Sequence, residues 1–278
     1  MKEIDGSKFQ VILLLYDGWK HHMSLRAAAE GKAIAQVWAD SIDSPVAAAV
    51  CFGIRVLISG NPQDTACRNE IADFLKNIVQ KNKIERMNHF FMLFWNEPGW
   101  QDVLLEILSG CKSYLREREY YGRDMLYNLN ELPQFKDCEL LLPKGYELRF
   151  VDEGFLNERE WGNKGTLQYE MCSERVSIYD FLKYSFGVCA VQGNEIAGWC
   201  LSEYNNSKGC EVGIEVMEGH QRKGIGTALT LALAEEAGKQ GLQHVGWSCF
   251  KDNLPSSATA CKAGFVKLDD YKVIVVQR

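Results

Sequence analysis

The chain has 278 residues, of which 46% are hydrophobic and 24% are charged. This composition is typical of a globular protein and excludes extensive disorder, and the length suggests about two domains. The formal net charge of −6 provides no basic field for a nucleic-acid backbone, so we expect no nucleic-acid partner.

The ten cysteines include no C-x-x-C pair and no Cys/His cluster at zinc spacing, so no bound metal is expected. Several lie in apolar runs, where a free thiol behaves as a small hydrophobic residue. This usage is typical of a reducing cytoplasm. No apolar run approaches the roughly 20 residues that span a bilayer, and the N-terminal apolar run is too short for a secretory signal. The sequence therefore predicts a soluble, cytoplasmic protein without a membrane partner.

The first half, residues 1–140, is predicted to be a smaller α/β domain. Helix propensity and three- to four-residue periodicity indicate helices, whereas β-branched apolar runs ended by Gly or Pro indicate strands. The charge-rich segment 112–119 is expected to be a solvated helix end. The predicted order is helix 25–35, strands 36–42, 46–52 and 54–59, helix 66–79, strand 89–95, helix 97–108 and strand 120–129.

Proline and glycine in the segment 132–145 indicate a connection, and the second domain is predicted to span residues 145–278. Both halves follow a similar order of elements without a residue-level repeat. The first half is therefore either a degenerate copy of the second or an unrelated α/β domain. The second half is predicted to contain strand 146–151, a helical region 153–184, strands 187–192, 196–204 and 210–217, helix 224–240, strand 243–250, helix 255–262 and strand 271–277.

The segment 211–229, EVGIEVMEGHQRKGIGTAL, carries the clearest chemical signal. A strand enters a short loop, and Gly224 and Gly226 open an amphipathic helix. Glycines let the backbone approach an anion closely. The first amides of a helix lack internal acceptors, and the helix dipole favours negative charge there. Arg222 and Lys223 add positive charge, so the loop predicts a diphosphate site.

The spacing of the loop excludes two common nucleotide motifs. A P-loop requires a lysine after the second glycine, where Ile225 stands, and a dinucleotide fingerprint requires a third glycine, where Leu229 stands. The remaining pattern is Q/R-x-x-G-x-G/A at residues 221–226. It resembles the acyl-CoA pyrophosphate loop of the GNAT family of N-acetyltransferases. An N-x-x-S motif at residues 253–256 and a Gly-Phe pair at 264–265 extend the resemblance.

The resemblance implies a GNAT-like mixed α/β sheet flanked by helices in the C-terminal half. It also implies transfer of an acetyl group from acetyl-CoA to a primary amine, which we expect on a small molecule, and the acidic net charge favours a cationic acceptor. The alternatives are a non-catalytic acyl-CoA-binding module and a protein N-acetyltransferase. The cofactor-binding residues that the resemblance implies are Ile214, Val216, Met217, Gln221, Arg222, Lys223, Gly224, Ile225, Gly226, Thr227, Asn253 and Ser256.

Acetyl transfer benefits from a base for the amine and from a donor to the thioester oxygen. Glu211 is the first candidate for the base and Glu215 the second, because both lie on the cofactor-binding strand and share a face if no bulge intervenes. The alternative is that each is only a solvated charge. A backbone amide of residues 215–217 is the implied donor. Many family members have a tyrosine at the position of Ala260, and it protonates the leaving thiolate. In this sequence the general acid is therefore Tyr271, water or none.

Overall fold

The computed structural model describes residues 1–19, 22–81, 90–125 and 135–277. The chain divides into two compact units, Met1–Arg118 with the segment from Tyr271 onward, and Glu119–Asp270. The sequence placed a single boundary near residues 140–145. The difference arises because long-range strand pairing decides where the units divide, whereas proline and glycine mark only local breaks in the chain.

The first unit consists of a mixed sheet with helices. Its sheet has the order β1-β2-β3-β4-β5-β12, where β12 is the strand Val266–Gln277. Strands β4 and β5 are parallel, whereas consecutive strands from β1 to β4 are antiparallel, as are β5 and β12. A 3-10 helix, Gly6–Tyr16, follows β1. The elements are β1 (Lys2–Ile4), α1 (Met23–Ala29), β2 (Gln36–Ala39), β3 (Ala47–Phe52), β4 (Arg55–Gly60), α2 (Thr65–Lys81), β5 (Phe90–Trp95), α3 (Trp100–Ile107) and the start of β6 (Lys112–Asp124).

The prediction for residues 112–119 was wrong, because this segment begins the strand β6. Exposed and half-buried residues alternate along its first four positions. A period of two favours a strand, and the number of charges concealed that period. Residues 126–129 of the predicted strand 120–129 lie outside the described residues.

The second unit contains a sheet with the order β6-β11-β10-β9-β8-β7. Strands β7 to β10 are antiparallel to their neighbours in this group, and β10 pairs with β11 in parallel. The elements are α4 (Phe135–Glu139), β7 (Tyr146–Phe150), α5 (Glu153–Glu158), α6 (Lys164–Met171), α7 (Ile178–Tyr184), β8 (Gly187–Gln192), β9 (Glu195–Glu203), β10 (Gly209–Val216), α8 (Ile225–Lys239), β11 (His244–Phe250), α9 (Leu254–Lys262) and β12 (Val266–Gln277).

Both faces of this sheet are covered by helices, so the mixed α/β fold class predicted from the sequence is confirmed. One face packs on α8 and α9 around Leu229, Leu233 and Trp247. The other packs on α5, α6 and α7 around Phe155, Leu167 and Phe181. Alternate residues of each strand therefore point to different helical layers.

In the part of the chain that the structure describes, every helix is too short or too polar to cross a bilayer.

Candidate active site

The loop between β10 and α8 has an unusual backbone shape. A single 3-10 turn, Glu218–His220, follows the strand, and Gln221 is extended with φ −67° and ψ 162°. Arg222 (φ 60°) and Gly224 (φ 83°) are left-handed, and Gly224 is the N-cap of α8. Left-handed backbone costs a residue with a Cβ about 1–2 kcal/mol. Glycine at position 224 therefore lets the chain enter the helix without this strain.

This shape leaves a run of backbone amides open. The amide of Ala228 donates to the Gly224 carbonyl (3.1 Å) and so begins the hydrogen bonding of α8. Among the described residues, the amides of positions 222–227 make no hydrogen bond to the protein. Open amides at the positive end of a helix dipole attract anions, so the loop suits a diphosphate.

The side chains at the start of α8 contribute less than its backbone. Arg222 is exposed, whereas Ile225 is buried in the core and offers only its amide. Gly226 and Thr227 are half-buried. A Cβ at Gly226 would lie 3.4 Å from a methyl group of Thr259, which is ordinary contact. The loop is therefore shaped by its backbone, as an amide-lined site requires.

The Lys223 ammonium is held by the protein and faces β7. Its Nζ donates to the Tyr146 hydroxyl (3.2 Å) and to the Gly219 carbonyl (3.0 Å). The same hydroxyl lies 2.7 Å from His220 Nδ1. Tyr146 thus connects two side chains of the loop to the sheet. Sequence reasoning missed it, because a tyrosine at the start of a strand resembles an ordinary core residue.

Strand β10 separates from β11 halfway along its length. The two strands pair over three positions, Gly209–Glu211 opposite His244–Gly246. Pairing of β10 with β9 continues as far as Val216 opposite Gly198. In the described structure, the edge of β10 that faces β11 is therefore unpaired beyond Glu211, and its backbone is available to an extended ligand.

The orientation of individual amides on β10 follows from one hydrogen bond. Met217 N donates to the Ala197 carbonyl (2.9 Å) of β9. Hydrogen bonds alternate along an antiparallel pair, so Ile214 and Val216 direct their amides to the open edge. Gln221 Nε2 donates to the Val216 carbonyl (2.9 Å). The Met217 amide is thus already hydrogen-bonded to β9, whereas the amides of Ile214 and Val216 can donate to a ligand at the open edge.

Both candidate bases lie on the face of β10 that points away from α8. The register with β9 is regular from Glu211 to Val216, so Glu211 and Glu215 share this face. Glu211 is 6% exposed and occupies the last position before β10 leaves β11. Glu215 is exposed. A buried carboxylate at the point of separation is better placed for proton transfer than an exposed one further along.

Further carboxylates gather on this face. Glu203 of β9 lies directly opposite Glu211, and its side chain covers Gly213. Glu170 reaches the same region from α6, and its pKa is raised by burial and by the nearby carboxylates of Glu203 and Glu215. The cluster creates a negative field that favours a cation.

The second short motif forms the start of α9. The Asn253 side-chain oxygen accepts a hydrogen bond from Ser256 N (3.2 Å), so Asn253 is the N-cap. Ser256 Oγ accepts from Trp247 Nε1 (3.0 Å). These contacts give Ser256 a structural role, and the Asn253 amide group is the part of the motif left for a ligand.

Residue 260 and Tyr271 are the positions at which the sequence analysis considered a general acid. Ala260 belongs to α9 and is fully buried in the core against the sheet. Tyr271 belongs to the first unit, where its hydroxyl accepts a hydrogen bond from Arg118 Nε (2.9 Å). Within the described ranges, no group of three or more His, Cys, Asp or Glu is arranged to hold a metal ion.

Solved structures with the same fold have low sequence identity to this chain. A GCN5-related N-acetyltransferase-like protein from Streptococcus suis is 19% identical, with 98% of this chain and 99% of that chain covered and a TM-score of 0.72. A tandem GNAT protein from the clavulanic acid biosynthesis pathway is 13% identical, covering 98% and 94%, with a TM-score of 0.64. A GCN5-related N-acetyltransferase from Sphaerobacter thermophilus is 13% identical, covering 99% and 94%, with a TM-score of 0.60.

No curated protein matches the sequence significantly. The model of the GNAT acetyltransferase family matches residues 14–274, which include both units, the amide-lined loop and the separated strands. Members of this family use acetyl-CoA and transfer acyl groups. The resemblance found in the C-terminal half is thereby confirmed for most of the sequence, and the chain belongs to the GNAT acetyltransferase family.

Proposed function

We propose that the second unit binds acetyl-CoA and transfers its acetyl group to a primary amine of a small molecule. The observation that carries the proposal is the row of open amides at residues 222–227, directly after the strand that leaves its neighbour. A diphosphate linked to a long polar arm fits this pair of features. The thioester of acetyl-CoA supplies an activated acetyl group.

Each feature has a role in binding. The amides of residues 222–227 receive the diphosphate oxygens. The open edge of β10, with the amide of Val216, pairs with the pantetheine arm as an added strand would. The Asn253 amide group faces that arm from α9. Arg222 adds charge at the exposed rim, while Lys223 acts indirectly, because it holds the loop against Tyr146.

Two groups of β10 act on the reaction itself. Glu211 removes a proton from the amine, since it is the buried carboxylate at the point of separation. The Ile214 amide donates to the thioester oxygen, because it is the open-edge amide nearer to Glu211. Of residues 215–217, Glu215 and Met217 direct their amides to β9, and the Val216 amide is used by the arm. With Ala260 at the family's tyrosine position, the sulfur leaves as a thiolate or is protonated by water.

The acceptor is proposed to be a small cationic amine. Glu170, Glu203, Glu211 and Glu215 occur together near one face of β9 and β10. Carboxylates in a partly buried region attract an ammonium group more strongly than they do in open water. Glu215, the exposed member, guides the acceptor, whereas the buried Glu211 deprotonates it.

The binding proposal is tested by titration calorimetry of CoA with Gly224→Val. A Cβ at position 224 has room, since its nearest contact is the Leu141 carbonyl at 3.8 Å, but a β-branched residue does not keep φ 83°. The loop must therefore change shape and lose its amide row. We expect no measurable heat of CoA binding.

Gly241→Val provides the matched control. Gly241 follows the other end of α8, also with positive φ (75°) and with nothing within 4 Å of the point that a Cβ would occupy. Its replacement imposes a comparable backbone strain at a distance from the loop. Equal loss of binding in both variants would show that general destabilisation, not the amide row, accounts for the effect.

The chemical proposal is tested by CoA release over a panel of amines and peptides. Turnover with small cationic amines supports it. Turnover with peptides in preference to small amines identifies a protein N-acetyltransferase instead. Tight CoA binding without turnover of any amine identifies a non-catalytic module. This alternative is tested because Ala260 stands where many family members have a tyrosine that acts as general acid.

A further inference from the structure

Tyr120 of β6 approaches β11 at an unusually close point. A Cβ added to Gly246 would lie 2.5 Å from the Tyr120 hydroxyl, so only a glycine admits this ring. Tyr120 itself is 1% exposed. The hydroxyl is therefore held against the β11 backbone at one fixed position.

That position is next to the candidate base. Gly246 is the parallel partner of Glu211, and neighbouring strands lie about 4.8 Å apart. Cys210, Val245 and Tyr121 all belong to the core against α8, so Glu211, Gly246 and Tyr120 occupy the opposite face. The phenol of β6 and the carboxylate of β10 thus extend from the same face of the sheet, on the two strands that flank β11, and the Tyr120 ring lies over the β11 residue that pairs with Glu211.

Tyr120 also contacts a histidine. Its hydroxyl lies 3.1 Å from His244 Nε2, and the two rings are stacked with their centroids 6.4 Å apart. His244 is half-buried, whereas Glu211 and Tyr120 are buried. A path through the side chains of Glu211, Tyr120 and His244 therefore leads from a buried carboxylate towards solvent.

We propose that Tyr120 and His244 relay the proton of Glu211 to solvent after each acetyl transfer. This inference rests on the proposed role of Glu211 as the base. The amine proton passes to the Glu211 carboxylate and then to the Tyr120 oxygen, while the Tyr120 proton moves to His244 Nε2. The imidazolium gives a proton to water, and exchange with solvent restores its starting tautomer. One proton is transferred, and no oxidant or further reactant is needed.

Other charged groups face the relay and shape its pH dependence. Glu203 of β9 and Glu215 of β10 share its face of the sheet, and Glu170 approaches from α6. Variants must therefore be compared over the whole pH range and not at a single pH.

The first test compares Tyr120→Phe with Tyr121→Phe. Tyr121 is the adjacent buried tyrosine, and its hydroxyl donates to Glu119 (2.6 Å) on the opposite face. We expect Tyr120→Phe to lower kcat by about 10- to 10²-fold and to change the kcat–pH profile, with CoA affinity unchanged. Tyr121→Phe should leave kcat and its pH profile unchanged. Equal profiles for Tyr120→Phe and the wild type would overturn the relay.

The second test uses His244→Ala. Imidazole added to the buffer should restore part of its kcat, because a dissolved base can accept the proton from Tyr120. The same imidazole should not restore Tyr120→Phe. A loss in His244→Ala that imidazole does not relieve would contradict proton transfer through this ring.

A third measurement needs no turnover and so separates failure of the relay from failure of the proposed function. The titration of the His244 ring is followed by NMR in the wild type and in Glu211→Gln. Removing the negative charge disfavours the imidazolium, so the midpoint should move to lower pH, and Tyr120→Phe should reduce the difference. An unchanged midpoint in Glu211→Gln would reject the coupling. A shifted midpoint in a protein that acetylates no amine would reject only the proposed function.

Discussion

At the scale of single residues, the candidate site depends on contacts that no motif contains. The Tyr146 hydroxyl accepts a hydrogen bond from the Lys223 ammonium and contacts the His220 ring. Tyr146, about 75 positions earlier in the chain, thus fixes the loop. The loop residues supply amides, but the amides are useful only if their directions are fixed before the ligand arrives. Preorganisation of this kind reduces the entropy that binding costs.

Tyr146→Phe tests this contribution. The variant keeps the ring in place but loses the hydroxyl that Lys223 and His220 contact. A hydrogen bond contributes about 1 kcal/mol, which corresponds to roughly a fivefold rise in the Kd for CoA. Calorimetry measures this change, and thermal unfolding shows whether the fold is retained. A Kd within experimental error of the wild type would mean that the loop is already rigid without Tyr146.

At the scale of elements, α9 contributes one residue with two functions. The Asn253 oxygen caps the helix by accepting from Ser256 N, and its amide group is the proposed contact to the pantetheine arm. Sequence reasoning assigned only the ligand role to Asn253. The structure adds the cap, which explains why the residue stands at the first turn of a helix that begins with Leu254 and Pro255.

Two substitutions at position 253 separate these functions. Asn253→Ala removes the cap, and we expect a loss of about 1 kcal/mol in the free energy of unfolding. Asn253→Asp keeps an oxygen for the cap but removes the amide donor, so it should retain stability and bind CoA more weakly. Denaturant unfolding and calorimetry measure the two effects. Wild-type affinity in Asn253→Asp would contradict contact between the amide group and the cofactor.

At the scale of the whole molecule, the two units repeat one plan. Each has a strand, a helical segment, three further strands, a helix, a parallel strand, another helix and a final strand. In the first unit, however, β4 stays paired with β5 over Arg55–Ile58. The carbonyl of its last residue, Gly60, accepts from Trp100 Nε1 (2.9 Å), and Pro62 has no amide hydrogen. The first unit thus has the same order of elements as the second, but its two parallel strands do not separate as β10 and β11 do.

This difference predicts that one CoA binds per chain. Calorimetry on the full chain should give a stoichiometry of one, and Gly224→Val should abolish all of the heat. A second binding event, or heat that persists in Gly224→Val, would show that the first unit binds CoA as well.

The sequence by itself determined the order of most elements and the identity of the loop. Residues 187–192 were predicted with their exact bounds, and the predicted helix 224–240 differs from α8 by one residue at each end. These signals are local, because turn residues and hydrophobic periodicity act within a few positions. The same holds for the spacing of Gln221, Gly224 and Gly226.

Only the tertiary structure decided what surrounds the loop. The unpaired edge of β10, the burial of Glu211 and the contact of Tyr120 with Gly246 arise from strands that meet in space after long separations in the chain. The division at Arg118 and Glu119, and the return of the last residues to the first unit, have the same origin. Pairing partners are chosen by the packing of the whole sheet, and no local pattern records that choice.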